Sequence, residues 1–196
     1  MSLASFVPFA LGLSLLAATS TPPVAPATPR PPAPWRQATG SAPVERLAGR
    51  WVLDSAASDD IPAAIERTVA PMNFVTRPIA RSRLRTVNRA APVVELRLRQ
   101  DTVETVWAGG PPARARLGGP PAPYRDRRGE DMSYRASARA GAAGPEFSET
   151  YQPGDGSRTN TWTLSADGRT LTVAVEVRSP QLPDPLRYRV VYRRGN

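Results

Sequence analysis

The chain has 196 residues, a formal net charge of +9, and neither cysteine nor histidine. Without these two residue types it cannot form disulfides, use a thiol nucleophile or a histidine base, or build the usual nitrogen and sulfur metal sites. All 26 basic residues are arginine, and guanidinium groups suit phosphate and carboxylate partners. The arginines are scattered along the chain, which favours a compositional preference for arginine over a dedicated anion-binding surface.

The N-terminal part of the chain predicts an export signal followed by a linker. Residues 6–18, FVPFALGLSLLAA, form an apolar run of the length of a signal-peptide core, and it is too short to span a bilayer well. We expect a signal peptide over residues 1–20 and a periplasmic or secreted protein, with an uncleaved N-terminal anchor as the alternative. Residues 21–43 are rich in proline and predict an extended, disordered linker.

The folded domain is predicted over residues 44–196. Residues 47–54 have the alternation of a first strand. A helix is expected over residues 58–69, because Asp59 or Asp60 can cap its first turn and apolar residues then recur at helical spacing.

Alternating apolar and polar residues predict that strands resume after an irregular segment over residues 74–89, in which Leu84 and Val87 could anchor a short strand. The further strands are expected over residues 94–99, 102–107, 113–117, 132–139, 146–152, the two arms of a hairpin within 158–179, and 186–193. Two Gly-Gly-Pro-Pro segments flank residues 113–117 and are expected to be loops.

The hairpin within residues 158–179 has the clearest local signal. Asp167 and Gly168 lie between two alternating runs, and an Asp-Gly pair is typical of a two-residue type I′ turn. This register places Trp162 opposite Val173 on an apolar face and leaves threonines on the other face. We therefore expect each strand of the domain to bury one face.

These elements predict an all-β fold. Eight to ten antiparallel strands joined by short turns are expected to form an up-and-down meander β-barrel, with one short helix after the first strand, since closing the sheet leaves no open edge. An open sandwich is the alternative.

The two ends of the domain resemble those of a known superfamily. Gly49-Arg50-Trp51 resembles the Gly-x-Trp signature of the lipocalins and fatty-acid-binding proteins. The wider pattern, with residues 51–54, 164–173 and 191–193, is similar to uncharacterised lipocalin-like proteins that many bacteria export. The resemblance implies that Trp51 closes the barrel floor against a basic residue from the last strand, here Arg193 or Arg194. Such a pair would form a favourable cation–π contact.

The resemblance also implies an internal site for a small hydrophobic ligand, with one departure. Fatty-acid-binding proteins hold the ligand carboxylate with an Arg-x-Tyr on the last strand. Here Arg189 and Tyr192 are three residues apart, so they are expected on opposite faces of the strand. The carboxylate clamp of that family is therefore not expected in this chain.

The sequence predicts no catalytic site, no cofactor and no metal site. Asp59 and Asp60 are explained by helix capping, and Glu146 and Glu149, being three apart on a strand, are expected to face opposite sides. No phosphate-cradling glycine loop precedes a helix. Nucleic-acid binding is suggested only by charge, and we predict no nucleic-acid partner.

Two functions remain open on the sequence. The first is binding of a small hydrophobic or amphipathic molecule inside the barrel, with the following side chains expected to line the site: Trp107, Tyr134, Tyr151, Trp162, Tyr188 and Tyr192. The second is a filled barrel that meets an anionic envelope lipid or polymer through outward arginines, with Arg97, Arg99, Arg187 and Arg189 as the candidates. Sequence alone predicts which way side chains face but not the volume left between them.

Overall fold

In a computed structural model of the chain, residues 44–141 and 144–195 are described. The predicted signal peptide (1–20) and linker (21–43) lie outside these residues and stay predictions. No helix within the described ranges has both the length and the apolar character needed to cross a membrane.

The described residues form ten strands and two helices. The strands are β1 (Gly49–Leu53), β2 (Val93–Arg99), β3 (Thr102–Trp107), β4 (Ala113–Arg116), β5 (Ala122–Arg125), β6 (Asp131–Gly141), β7 (Gly144–Gln152), β8 (Ser157–Leu164), β9 (Thr170–Arg178) and β10 (Leu186–Arg194). The helices α1 (Ile61–Val69) and α2 (Thr76–Val87) both lie between β1 and β2 in the chain.

The ten strands form one antiparallel sheet in the order β4-β3-β2-β1-β10-β9-β8-β7-β6-β5. The two ends of this sheet approach each other, because the backbone N–H of Gly118 donates to the carbonyl of Ala136 at 2.8 Å and Leu117 forms a bridge with Ala136. The sheet is thus a nearly closed meander barrel, and the predicted fold class is confirmed.

The predicted register of the β8–β9 hairpin is confirmed, but its turn type is wrong. Trp162 lies opposite Val173. Gly168 has a positive φ of 71°, whereas among the described non-glycine residues only Gln100 has a positive φ. A type I′ turn would require a positive φ at Asp167 as well. The Asp167 carboxylate instead accepts hydrogen bonds from the N–H of Arg169 and the hydroxyl of Ser165, which stabilise a turn without a positive φ at Asp167.

The first helix begins where the sequence predicts a cap. The Asp60 carboxylate accepts a hydrogen bond from the N–H of Ala63 at 3.0 Å, and Pro62 lies in the first turn, where it needs no hydrogen-bond partner. Ile65 and Val69 are buried on the side that faces the barrel.

The prediction of a single helix is wrong, because α2 occupies the segment expected to be irregular. Asn73 starts this helix: its side-chain oxygen accepts hydrogen bonds from the N–H groups of Val75 at 3.0 Å and Thr76 at 2.9 Å. Leu84 is the one buried residue of α2. The other large apolar residues of α2, Ile79 and Val87, are exposed, so they do not form a buried stripe like that of α1. The short strand expected around Leu84 and Val87 is instead the last part of this helix.

One edge strand was also missed. β5 (Ala122–Arg125) lies at the end of the sheet and contains Pro123, a residue that argues against a central strand but is tolerated on an edge. It pairs with β6 alone in the sheet order.

The two ends of the domain meet at Trp51. The guanidinium carbon of Arg194 lies 4.4 Å from the centroid of the Trp51 ring. The same guanidinium donates to the carbonyl oxygens of Arg46 at 2.7 Å, Ala48 at 3.1 Å and Gly168 at 3.0 Å. Arg194 therefore ties the entry to β1 and the β8–β9 turn to the indole of β1.

Gly49 and Arg193 complete this junction in different ways. Gly49 has a φ of 135°, and a Cβ at this position would lie 3.0 Å from the Arg194 guanidinium, so only glycine fits without strain. Arg193 faces outward and its Nε lies 2.8 Å from the Asp54 carboxylate. Of the two arginines expected against Trp51, the structure places Arg194 there.

Candidate ligand site in the barrel interior and at its mouth

Four of the aromatic residues expected to line a site lie together inside the barrel. The rings of Trp107 on β3 and Trp162 on β8 are 5.2 Å apart, and those of Tyr134 on β6 and Tyr151 on β7 are 4.9 Å apart. The indole N–H of Trp107 donates to the Tyr151 hydroxyl at 3.1 Å. Because β3 is far from β7 and β8 in the sheet order, these contacts cross the interior and fill that part of the barrel.

The other two expected residues, Tyr188 and Tyr192, lie on β10 and are buried. The Tyr188 hydroxyl donates to the side-chain oxygen of Asn88 at 3.1 Å, and the Tyr192 hydroxyl donates to the carbonyl of Ala91 at 3.2 Å. Both hydroxyls thus contact the segment that follows α2. The six residues therefore belong to two places: an inner aromatic cluster and the region below the helices.

A carboxyl group lies in the inner cluster. Glu149 on β7 is fully buried, and it accepts hydrogen bonds from the Asn160 amide at 2.7 Å, the Tyr134 hydroxyl at 3.1 Å and the Tyr151 hydroxyl at 3.2 Å. Burial raises the pKa of Glu149, and the hydrogen bonds from its neighbours oppose that shift. Burial also raises the pKa of the Tyr134 and Tyr151 hydroxyls, so both remain proton donors at neutral pH.

Glu149 is the site residue that reasoning from the sequence missed. The prediction that Glu146 and Glu149 face opposite sides is correct, since Glu146 accepts a hydrogen bond from the Arg139 guanidinium at 2.7 Å on the outer face. The signal was present in the alternation of β7. Tyr151 is expected inside, and Glu149 lies two residues from it on the same strand, so it must share its face.

Polar contacts continue from Glu149 to the end of α2. The side-chain oxygen of Asn160 accepts from Arg158 Nε at 3.0 Å. A terminal nitrogen of Arg158 lies 3.4 Å from the side-chain oxygen of Asn88, whose amide donates to the carbonyl of Leu84 at 3.0 Å. A chain of side-chain hydrogen bonds therefore links the barrel interior to the helix above its mouth.

Trp162 has a donor that this network does not use. Its indole nitrogen is buried and has no hydrogen-bond partner within the described part of the chain. A buried N–H without a partner costs free energy relative to one that is hydrogen-bonded. The interior therefore holds one buried donor that no described residue satisfies.

The mouth of the barrel contains a groove of about 520 Å³. It lies between α1 and the segment that joins α2 to β2, and it is lined by Ile61, Pro62, Ile65, Arg85, Asn88, Arg89 and Ala90. One side of the groove is apolar, and the other carries two guanidinium groups and an amide. Asn88 belongs both to this groove and to the polar chain that reaches Glu149.

The outer surface carries the arginines that were considered for an anionic partner. Arg97 forms ion pairs with Glu95 and Glu104, and Arg187 forms one with Glu176 at 2.7 Å. Arg189 lies 3.8 Å from Asp59, while Arg99 has no ion pair with any described residue. Most of the charge of this arginine set is therefore matched by neighbouring carboxylates.

A second groove of about 490 Å³ lies on the outer face of β8, β9 and β10. Its lining includes the threonines at 159 and 161, Ala174, and the ion-paired Glu176 and Arg187. Within residues 44–141 and 144–195, no three acidic side chains are grouped closely enough to hold a metal ion.

No family model matches the chain, and no curated protein matches it either. Among solved structures, a secretory abundant heat soluble protein from Ramazzottius varieornatus has a TM-score of 0.52 at 9% sequence identity, covering 76% of this chain and 96% of that one. A fatty-acid-binding protein from Drosophila melanogaster brain has a TM-score of 0.43 at 16% identity, covering 74% and 95%. The human protein cRBP IV has a TM-score of 0.43 at 15% identity, covering 76% and 98%. At 9% identity the likeness to the first of these structures shows the fold alone, an antiparallel β-barrel.

Proposed function

We propose that the chain is an exported, non-enzymatic, lipocalin-like barrel that binds a small hydrophobic or amphipathic ligand at its mouth. The observation that carries this proposal is the groove between α1 and residues 85–90. Its volume of about 520 Å³ is within the range of roughly 300–1,000 Å³ that ligand pockets usually have. It also combines an apolar wall with a few converging polar groups, as such pockets do.

The lining of the groove favours a particular ligand chemistry. Ile61, Pro62 and Ile65 offer an apolar wall, which favours a hydrocarbon or aromatic body. Arg85 is ion-paired with Glu66, whereas Arg89 has no ion pair with any described residue and favours an anionic or strongly accepting head group on the opposite side. The ligand that fits best is therefore an amphipathic molecule with one acidic or acceptor end.

The aromatic residues expected to line a ligand site do not line the mouth groove, but one of them contacts it. None of the six aromatic residues expected to line the ligand is among the residues that line the groove. Tyr188 hydrogen-bonds to Asn88 and fixes it at the base of the groove. Direct ligand contact by the six residues stays a prediction.

The non-enzymatic role and the export of the protein rest on other observations. The buried Tyr134 and Tyr151 hydroxyls keep their protons at neutral pH and engage Glu149 as donors, an arrangement that supports binding rather than proton abstraction. Export rests on the apolar run over residues 6–18.

The groove can be tested by filling it. Ala90→Trp places an indole in the groove, and Ala174→Trp places the same indole in the outer groove as a matched control. The probe is 1-anilinonaphthalene-8-sulfonate, an amphipathic anion whose fluorescence rises in apolar surroundings. We expect Ala90→Trp to weaken probe binding by about tenfold or more, which is the effect of losing the burial of a few methylene groups.

The control variant is expected to bind the probe as the unmodified chain does. Equal probe affinity in Ala90→Trp and the unmodified chain, or weakening by Ala174→Trp alone, would show that the mouth groove is not the site.

A further inference from the structure

Exposed apolar side chains are concentrated at one helix. Five large apolar residues in the described part of the chain are exposed, and four of them lie on α2 or on the turn that leads into it. Phe74 is 86% exposed, Val75 59% and Ile79 54%. Scattered single apolar residues are normal on a protein surface, whereas a cluster on one element marks an interaction surface.

The helix that carries this cluster has one covered face and one open face. α2 lies against α1, and Leu84 is its one buried residue. On the covered side, Glu66 of α1 forms ion pairs of 2.8 Å with both Arg81 and Arg85. No described residue buries the opposite face.

The side chains on the open face of α2 form a stripe along the helix. Val75, Ile79 and Arg83 follow one another at intervals of four residues, which places them in one stripe along a helix. Phe74 is next to the N-terminal end of this stripe. The apolar side chains are therefore at one end and a guanidinium at the other.

Charge around the stripe is strongly positive. Between Ile61 and Arg89 the sequence contains six arginines and a single acidic residue, Glu66. Arg83 and Arg89 are exposed, and neither has a carboxylate within ion-pair distance among the described residues. This unmatched charge differs from the outer wall of the barrel, where Arg97 and Arg187 are paired.

We propose that α2 docks the protein onto an anionic lipid surface. Phe74, Val75 and Ile79 enter the boundary between head groups and acyl chains, while Arg83 and Arg89 contact lipid phosphates. An exposed helix with clustered apolar side chains and surrounding arginines has the composition of elements that lie in a membrane interface. Of these residues only Arg89 also lines the mouth groove. Phe74, Val75, Ile79 and Arg83 do not, so the inference does not depend on ligand binding.

The chain is well suited to a site-specific test because it contains no cysteine. Phe74→Cys provides a single site for an environment-sensitive nitrobenzoxadiazole label on α2. Val52→Cys provides the matched control, since Val52 is the exposed large apolar residue on the barrel wall, at 37%. Vesicles of phosphatidylglycerol and phosphatidylcholine are compared with vesicles of phosphatidylcholine alone.

We expect the label at residue 74 to become brighter and shift to the blue with anionic vesicles, and the label at residue 52 to remain unchanged. The response is expected to be lost with neutral vesicles and in about 0.5 M salt, where charges are screened within a few ångströms. In flotation assays with the full chain, Phe74→Ser/Ile79→Ser is expected to reduce vesicle binding by about tenfold or more, while Val52→Ser has no effect.

Three results would overturn the inference. The first is an unchanged signal from the label at residue 74 in the presence of anionic vesicles. The second is an equal change at residues 74 and 52, which would indicate adsorption without a preferred face. The third is a change at residue 74 that depends on protein concentration without vesicles, which would mean that a second copy of the chain covers α2.

Discussion

Glu149 is a carboxyl group inside a barrel whose other inward residues are mostly aromatic and aliphatic. Burial disfavours its charged form and raises the pKa of the folded state above the ordinary value of 4.5. At pH values between 4.5 and the folded-state pKa of Glu149, the folded protein retains a proton that the unfolded chain has released. The free energy of unfolding must therefore fall as the pH rises from 4.5 through the folded-state pKa of Glu149.

Glu149→Gln removes this titration while keeping the size of the side chain. We expect the variant to lose less stability than the unmodified chain when the pH is raised from about 4 to about 8. The measurement is the free energy of unfolding from urea titrations at several pH values. Glu146→Gln removes an outward carboxyl from the same strand and controls for the loss of a negative charge. Parallel pH profiles for Glu149→Gln and the unmodified chain would contradict the assignment.

The direction in which each of these side chains points could be predicted from the sequence. Alternation placed Trp162, Tyr134 and Tyr151 inside, and the structure buries all three. The same rule places Glu149 inside, but an acidic residue on an inward face conflicts with the expectation that carboxyl groups are exposed. Its three donors come from β6, β7 and β8, so their convergence depends on the pairing of three neighbouring strands, which no single strand shows.

The helices show what local signals can and cannot predict at the scale of an element. α1 has a cap, a proline in its first turn and buried residues at helical spacing, and it was predicted. α2 buries Leu84 alone, and its other large apolar residues, Ile79 and Val87, are exposed, so it has no buried stripe like that of α1. Its most useful signal is Asn73, whose side-chain oxygen accepts hydrogen bonds from the N–H groups of Val75 and Thr76 at the start of the helix, followed by Pro78 in its first turn.

The cap at Asn73 is expected to hold α2 in place. Asn73→Ala removes the acceptor for the N–H groups of Val75 and Thr76 and is expected to lower the free energy of unfolding by about 1 kcal/mol. Asn73→Asp keeps an acceptor oxygen and is the matched control, with stability expected close to that of the unmodified chain. Urea unfolding followed by circular dichroism compares the three proteins. An equal loss in both variants would show that capping is not the cause.

Closure of the barrel concerns the whole molecule, because it joins the first strand to the last. Arg194 covers the Trp51 ring and donates to three carbonyl groups from two other segments. The cation–π contact and the charged hydrogen bonds together are expected to contribute about 2–3 kcal/mol.

Arg194→Ala is therefore expected to lower the free energy of unfolding by about 2–3 kcal/mol in urea titrations. Arg193→Ala removes the adjacent arginine, whose ion pair with Asp54 is on the solvent-exposed outer face, and is expected to have a much smaller effect. Similar losses for the two variants would mean that the junction at Trp51 does not stabilise the barrel.

Closure and the pairing of neighbouring strands could be predicted from the sequence because both depend on local patterns at the two ends and at the turns. The volume left between the side chains inside the barrel could not be predicted from the sequence. The contacts between Trp107 and Trp162, and between Trp107 and Tyr151, join strands distant in the sheet, so the filled interior depends on barrel curvature and on side chains from several strands. The mouth groove likewise depends on α2, which was not predicted.

The proposal that the mouth groove binds an amphipathic molecule is tested most directly by mapping where such a molecule binds. We would titrate isotopically labelled protein with 1-anilinonaphthalene-8-sulfonate and follow the backbone amide resonances by NMR. The largest and saturable shifts are expected at residues 61–65 and 85–90. The largest shifts at Thr159, Ala174 and Arg187 on the outer face, or the absence of any saturable shift, would contradict the account.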